Sequence, residues 1–157
     1  MAEQSKPVTL TSPEHSCAVA QNMAALLRPG EVILLEGDIG AGKTHFARCL
    51  IQALIGDDED IPSPTFTLVQ TYDAANMEIW HADLYRLSSP DEVVELGLLD
   101  AFEDALCLVE WPDRLAELQP ENALRLSLSM TETEGQRQAV FQWGDGMWAE
   151  IIDTVLK

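Results

Sequence analysis

One stretch of eight residues, Gly37-Asp38-Ile39-Gly40-Ala41-Gly42-Lys43-Thr44, restricts what this chain can become more than any other. It satisfies the pattern G-x-x-x-x-G-K-[ST] at every fixed position. With ordinary glycine usage, a chance match in so short a chain is on the order of one per cent. The flanks agree with the motif. Val32-Ile33-Leu34-Leu35 is a continuous apolar run, the pattern of a strand buried on both faces. After the loop, Phe46, Leu50, Ile51 and Leu54 recur at helical spacing, and Gly56 supplies a stop. Gly37, Gly40 and Gly42 permit backbone angles that turn successive N–H groups of residues 38 to 44 inward. Such donors form a nest for phosphate oxygens, reinforced by the dipole of the helix that begins near Lys43. Lys43 is placed to reach the β- and γ-phosphates of a nucleoside triphosphate, and the Thr44 hydroxyl to coordinate magnesium.

The rest of the chain supplies a frame for that loop. Val8-Thr9-Leu10 reads as a short strand, and Ser12-Pro13-Glu14 as a helix start capped by Ser12. Ala18, Val19, Met23, Leu26 and Leu27 make that helix's apolar stripe, with Pro29-Gly30 ending it. Residues 63–72 read as a loop becoming a strand, and Met77 to His81 as a second strand across a short polar turn. Ser89 and Glu92 have capping-box spacing and open a helix through Leu96. Ala105 to Val109 is a second fully apolar strand, ending in Glu110. Leu124 to Leu128 and Ala139 to Trp143 read as later strands, and Met147 to Leu156 as a final helix whose apolar stripe packs on the core. Strands alternating with helices predict an α/β fold, P-loop NTPase-like, with a mixed, largely parallel sheet flanked by helices. The length of 157 residues fits a single domain across the whole chain.

Composition narrows the function. Nine Lys and Arg face 27 Asp and Glu, a net charge of −18 that repels nucleic acid, because phosphate contacts need clustered cations. Any service to a nucleic-acid pathway is therefore expected to run through protein partners. The same charge does not oppose a bound nucleotide, since distant charges are screened beyond about 8 Å at physiological salt. The run Gly56 to Asp60 reads as a solvated acidic loop. No apolar run approaches bilayer-spanning length, and the first residues lack a signal-peptide core. Cys17, Cys49 and Cys107 read as small buried hydrophobes, and His15, His45 and His81 lack metal-ligand spacing. A cytoplasmic location is expected.

A triphosphate site with magnesium needs further oxygen ligands. Glu110, at the end of an apolar strand, is the first candidate, with Glu where Asp is commoner and a carboxylate reaching one methylene further. Asp83, just after a strand, is the second; its ordinary alternative is a turn residue. Either acid can hold the metal while the other orients the attacking water. Thr65, between Pro64 and Phe66, reads either as part of a loop that senses the γ-phosphate or as an ordinary turn. Trp111 reads as a stacking residue or as core.

Four linked motifs then point to one family. The glycine loop, Ser63-Pro64-Thr65-Phe66-Thr67, His81-Ala82-Asp83-Leu84-Tyr85-Arg86-Leu87 and Val109-Glu110-Trp111-Pro112-Asp113-Arg114 together closely resemble TsaE, the small bacterial ATPase of tRNA threonylcarbamoyladenosine biosynthesis. The resemblance covers nearly the whole chain. It implies hydrolysis of ATP with Mg2+ in complex with TsaB and TsaD, which modify adenosine 37 of tRNA, the tRNA being met only through those partners. By position, Lys43 is implied to bind phosphates and Thr44 and Glu110 to ligate magnesium. Asp83 is implied to be catalytic or metal-linked, Thr65 to belong to a switch-like loop, and Glu14 and Arg137 to contact the nucleotide. Ile39, Ala82 and Val109 depart from the family's usual Leu, Phe and Ile, and Cys17 stands where Thr is expected.

Two other classes remain open from sequence. A small-molecule kinase also pairs such a loop with acids, although the arginines here are scattered rather than gathered in a lid. A nucleotide-gated interaction module with incidental hydrolysis needs the same loop. A GTPase is disfavoured by the absence of Asn-Lys-x-Asp and of Asp-x-x-Gly after the loop.

Overall fold

The computed structural model describes residues 4–56, 61–64, 67–144 and 146–156. Among them, strands β1 (Gln4–Leu10), β2 (Val32–Glu36), β3 (Val69–Asp73), β4 (Glu78–Asp83), β5 (Leu106–Glu110), β6 (Leu124–Met130) and β7 (Arg137–Trp143) form one sheet. Their order is β1-β7-β6-β2-β5-β4-β3. The middle of the sheet is parallel: β2 pairs with β5 and β6, and β4 with β5. Antiparallel partners flank it, β3 against β4 on one side and β7 and β1 beyond β6 on the other. The mixed, largely parallel sheet flanked by helices is thus the one the sequence predicts.

The apolar run of β2 has the two-sided burial expected of it. Ile33 and Leu35 enter one core, Val32 and Leu34 the other. On the first face lie α1 (Pro13–Ala24), α2 (Lys43–Ile55) and α5 (Met147–Val155). They contribute Met23, Phe46, Leu50, Ile51, Trp148 and Ile152 to the larger core. On the second lie α3 (Pro90–Glu95), α4 (Leu98–Asp104) and a 3₁₀ stretch, Pro112–Leu118, through Val93, Leu98, Ala101 and Leu115. The parallel strands β2, β4 and β5 end side by side at Glu36, Asp83 and Glu110, where a ligand crevice forms in open α/β sheets.

Several local expectations shift. Ser12 caps α1 as expected, its Oγ accepting from the His15 N–H at 3.0 Å, but that helix stops at Ala24 rather than at Pro29. At Ser89 the capping box is incomplete, because the Ser89 side chain makes no cap hydrogen bond while its backbone N–H still serves Glu92. Glu92 also accepts from the backbone N–H and hydroxyl of Ser88, at 3.1 and 2.6 Å, and this holds its carboxyl below its ordinary range. A run of alternating apolar and acidic residues hid α4 and the 3₁₀ stretch from sequence reasoning. The cysteine reading holds for Cys107, which is buried and unpaired. It fails for Cys17 and Cys49, which are joined in a disulfide between α1 and α2. Their Cα atoms lie 5.2 Å apart, a separation that invites bridging and that only the packing of the two helices creates. The acidic residues Asp57 to Asp60 lie outside the described residues.

Candidate functional site

The site is built where β2 hands over to α2. Gly37 has φ +144, and a Cβ there would stand 2.4 Å from the Leu128 carbonyl oxygen, so any other residue would collide with β6. Gly42 caps α2 in the left-handed region, φ 104, which turns the chain directly into the helix. Inside the loop the Ala41 N–H is engaged by the Asp38 carbonyl at 3.0 Å, making a tight turn. From β7, Arg137 reaches across the sheet to the loop. Its Nε donates to the Ala41 carbonyl at 3.0 Å and one Nη to the Gly40 carbonyl at 3.2 Å.

Lys43 is nearly buried at the start of α2. Its ammonium donates to the carbonyls of Gly37 at 2.5 Å and Asp38 at 3.0 Å, and lies 4.3 Å from the centre of the Trp111 ring. Desolvation lowers its pKa, opposed by the negative charges of Glu110, Asp83 and Asp38. The ammonium thus sits in a desolvated position with two carbonyl acceptors.

Thr44 follows on the same helical turn and donates its hydroxyl to Glu110 Oε1 at 2.7 Å. Glu110 is 2 % exposed, so this bond is shielded from water. Asp83 stands opposite Glu110 in the β4–β5 register and is likewise buried. Its Oδ1 accepts from the Tyr85 N–H at 3.0 Å, which orients the carboxylate around the strand end. Trp111 takes a left-handed conformation, φ 59, immediately after Glu110. That bend brings its ring 4.8 Å from Tyr85, and both rings help to wall the site.

A cavity of about 550 Å³ opens over these groups, a size suited to a nucleotide. Ile39 to Phe46, Asp83, Glu110, Trp111 and Arg137 line it, so most of the residues singled out from sequence are gathered there. Asp38 is exposed and enters through its carbonyl bond to Lys43. Glu14 is exposed in the first turn of α1; its neighbours Pro13 and Ser16 reach the cavity, whereas Glu14 is not among the residues lining it. Thr65 lies outside the described residues. The segment after it ends at Leu68, whose carbonyl accepts from the Asp83 N–H at 2.8 Å. Sequence reasoning missed the wall supplied by Tyr85, the lysine–tryptophan contact and the buried His81. The first two had a signal in the motifs that contain them. His81 opens one of those motifs too, but its partner Glu110 lies 29 positions further on, and nothing local to either residue pairs them.

Among the described residues no group of three or more His, Cys, Asp and Glu makes a preformed metal cage. A cation here would draw on the Thr44 and Glu110 oxygens and on those of a bound molecule, the habit of magnesium beside phosphates.

The family model described as threonylcarbamoyl adenosine biosynthesis protein TsaE matches residues 10–139. The chain belongs to the TsaE family. Among its TsaE relatives, the protein of Rickettsia conorii is 43% identical over 120 residues, 76% of this chain and 69% of that one. The Bacillus subtilis TsaE is 39% identical over 116 residues, 73% of this chain and 72% of its own. Both carry the name tRNA threonylcarbamoyladenosine biosynthesis protein TsaE. The crystal structure of Bacillus subtilis YdiB superposes with a TM-score of 0.76 at 26% identity, covering 99% of this chain and 97% of that one. As a TsaE-family member the chain has its role in tRNA threonylcarbamoyladenosine biosynthesis. Among the described residues no helix is long and apolar enough to cross a membrane.

Proposed function

We propose that this chain binds and hydrolyses Mg2+-ATP, and that it does so in complex with TsaB and TsaD during modification of tRNA adenosine 37. The observation that carries the reading is the Thr44–Glu110 hydrogen bond beside Lys43. It joins the first turn of a phosphate-loop helix to a buried carboxylate at the neighbouring strand end. The half-buried Thr44 hydroxyl and the buried Glu110 and Asp83 carboxylates suit a hard, oxygen-seeking cation.

In this reading the loop amides bind the phosphates, and Lys43 exchanges the Gly37 and Asp38 carbonyls for β- and γ-oxygens. Thr44 and Glu110 would hold magnesium, which would supply positive charge against the negative charge of the phosphates. Glu110, already bonded to Thr44, is the metal-side acid. Asp83 then holds the attacking water, its carboxylate oriented by the Tyr85 N–H. Trp111 and Tyr85 limit the entry of other water. Net charge of −18 and sparse cations favour a chain that leaves tRNA to its partners. A cytoplasmic setting follows from that substrate, and in its reducing poise the Cys17–Cys49 bond is open to reduction.

The test is Glu110→Gln, assayed for ATP binding and for phosphate release with TsaB, TsaD and tRNA present. Binding is expected to persist while turnover falls by about 10²-fold or more, the loss typical of a missing charged group in a transition-state site. Unimpaired turnover refutes the assignment. A variant that cannot hydrolyse ATP yet supports repeated modification would replace hydrolysis with nucleotide gating.

A further inference from the structure

We propose that His81 is a positioning residue for the metal-side carboxylate, fixing Glu110 so that one oxygen stays aimed at Thr44 and the cation site. This rests on the Mg2+-nucleotide reading above and adds to it the group that holds the acid in place.

His81 is fully buried on β4, 29 positions before Glu110 in the chain. Its Nε2 lies 2.6 Å from Glu110 Oε2, while Thr44 holds Oε1 at 2.7 Å. Each carboxylate oxygen therefore has its own donor, one from each side. The two donors differ in placement. A threonine hydroxyl has one proton and two lone pairs, so it can face a cation and still donate to Glu110, but its donation falls on Oε1, the oxygen turned to the cation site. The imidazole has no such second task and no access to water. It anchors Oε2, the oxygen turned away from Thr44.

Glutamate makes that anchor necessary. It has one more rotatable bond than aspartate, and a free arm would spread its carboxylate over several positions. Outer hydrogen bonds to ligating carboxylates serve this purpose at metal sites generally. Bonding at Nε2 also sets the tautomer. Nδ1 has no partner among the described residues, so with the proton on Nε2 it leaves a bare lone pair rather than a stranded N–H. A purely structural histidine would fill space on β4 equally well, and the experiment must separate the two roles.

His81→Leu removes the donor. His81→Gln returns an amide nitrogen close to the place of Nε2. For each, binding of a nonhydrolysable ATP analogue is followed by calorimetry across a Mg2+ titration and again in EDTA. His81→Leu is expected to raise the Mg2+ concentration for half-maximal tightening by about 10–100-fold, with EDTA binding unchanged and His81→Gln largely restored. In a Glu110→Ala background, His81→Leu should produce no further shift. An unchanged Mg2+ midpoint in a folded His81→Leu protein overturns the proposal, as does equal loss of binding with and without the metal. If His81→Leu does not fold, a His81→Gln protein with a strongly shifted midpoint overturns it instead. A parent protein whose binding ignores Mg2+ overturns the underlying function as well, and so is a distinct result.

Discussion

Removing the guanidinium of Arg137 tests whether this residue holds the phosphate loop or merely lends charge to a nucleotide. In the structure its Nε and one Nη are committed to the carbonyls of Ala41 and Gly40, at 3.0 and 3.2 Å. Its other Nη donates to the adjacent Gln136 carbonyl at 3.0 Å. Hydrogen bonds from a charged donor are worth about 1.5–3 kcal/mol when buried, and these two loop bonds are only partly shielded. About 2 kcal/mol for the pair is therefore a reasonable size for the loop's loss of order in Arg137→Met. If binding requires the ordered loop, the apparent affinity falls with the ordered fraction. At about 1.4 kcal/mol per tenfold, 2 kcal/mol corresponds to roughly 30-fold weaker nucleotide binding. Calorimetric titration with Mg2+-ATP measures it, beside a chemical denaturation curve that checks the fold. Arg137→Lys separates the mechanisms, because lysine keeps the charge and loses the two-pronged donor. The clamp argument expects lysine to resemble methionine. Parent-like affinity in Arg137→Lys, or an unchanged Arg137→Met, refutes it.

Two further outcomes follow from burial and backbone geometry. Gly37→Ala adds a Cβ 2.4 Å from the Leu128 carbonyl oxygen at φ +144, and β6 cannot yield because it is paired on both sides. Backbone strain and overpacking together should cost about 2–5 kcal/mol of stability by denaturant unfolding, and a loss within the ordinary surface range would contradict the clash. Burial, aided by the negative charge of Glu78, pushes the Cys107 thiol from 9.0 up to about 12. Above pH 9 the unfolded chain releases this proton while the native chain keeps it, so stability falls as pH rises towards 12. The contribution is on the order of 1 kcal/mol per pH unit, measured as the difference between the parent and Cys107→Ala across that range. Parallel curves for the two proteins would show that the thiol is not shielded.

Alone, the sequence determined whatever depends on neighbouring residues. Steric freedom at Gly37 and Gly42, the apolar run of β2 and the hydroxyl of Ser12 act within a few positions, so the loop, its strand and the first helix start were legible. The placement of Glu110 and Asp83 at strand ends was legible too, because apolar runs stop where the sheet does. Which acid faces Thr44 was not. That follows from β5 lying directly between β2 and β4, an order that no local pattern encodes. Tertiary packing likewise decided that Arg137 reaches back 97 positions to Gly40, that His81 meets Glu110, and that Cys17 meets Cys49. Short-range geometry is written in covalent structure and side-chain shape. Contacts between distant residues exist only after burial of the two cores has fixed where each strand and helix lies.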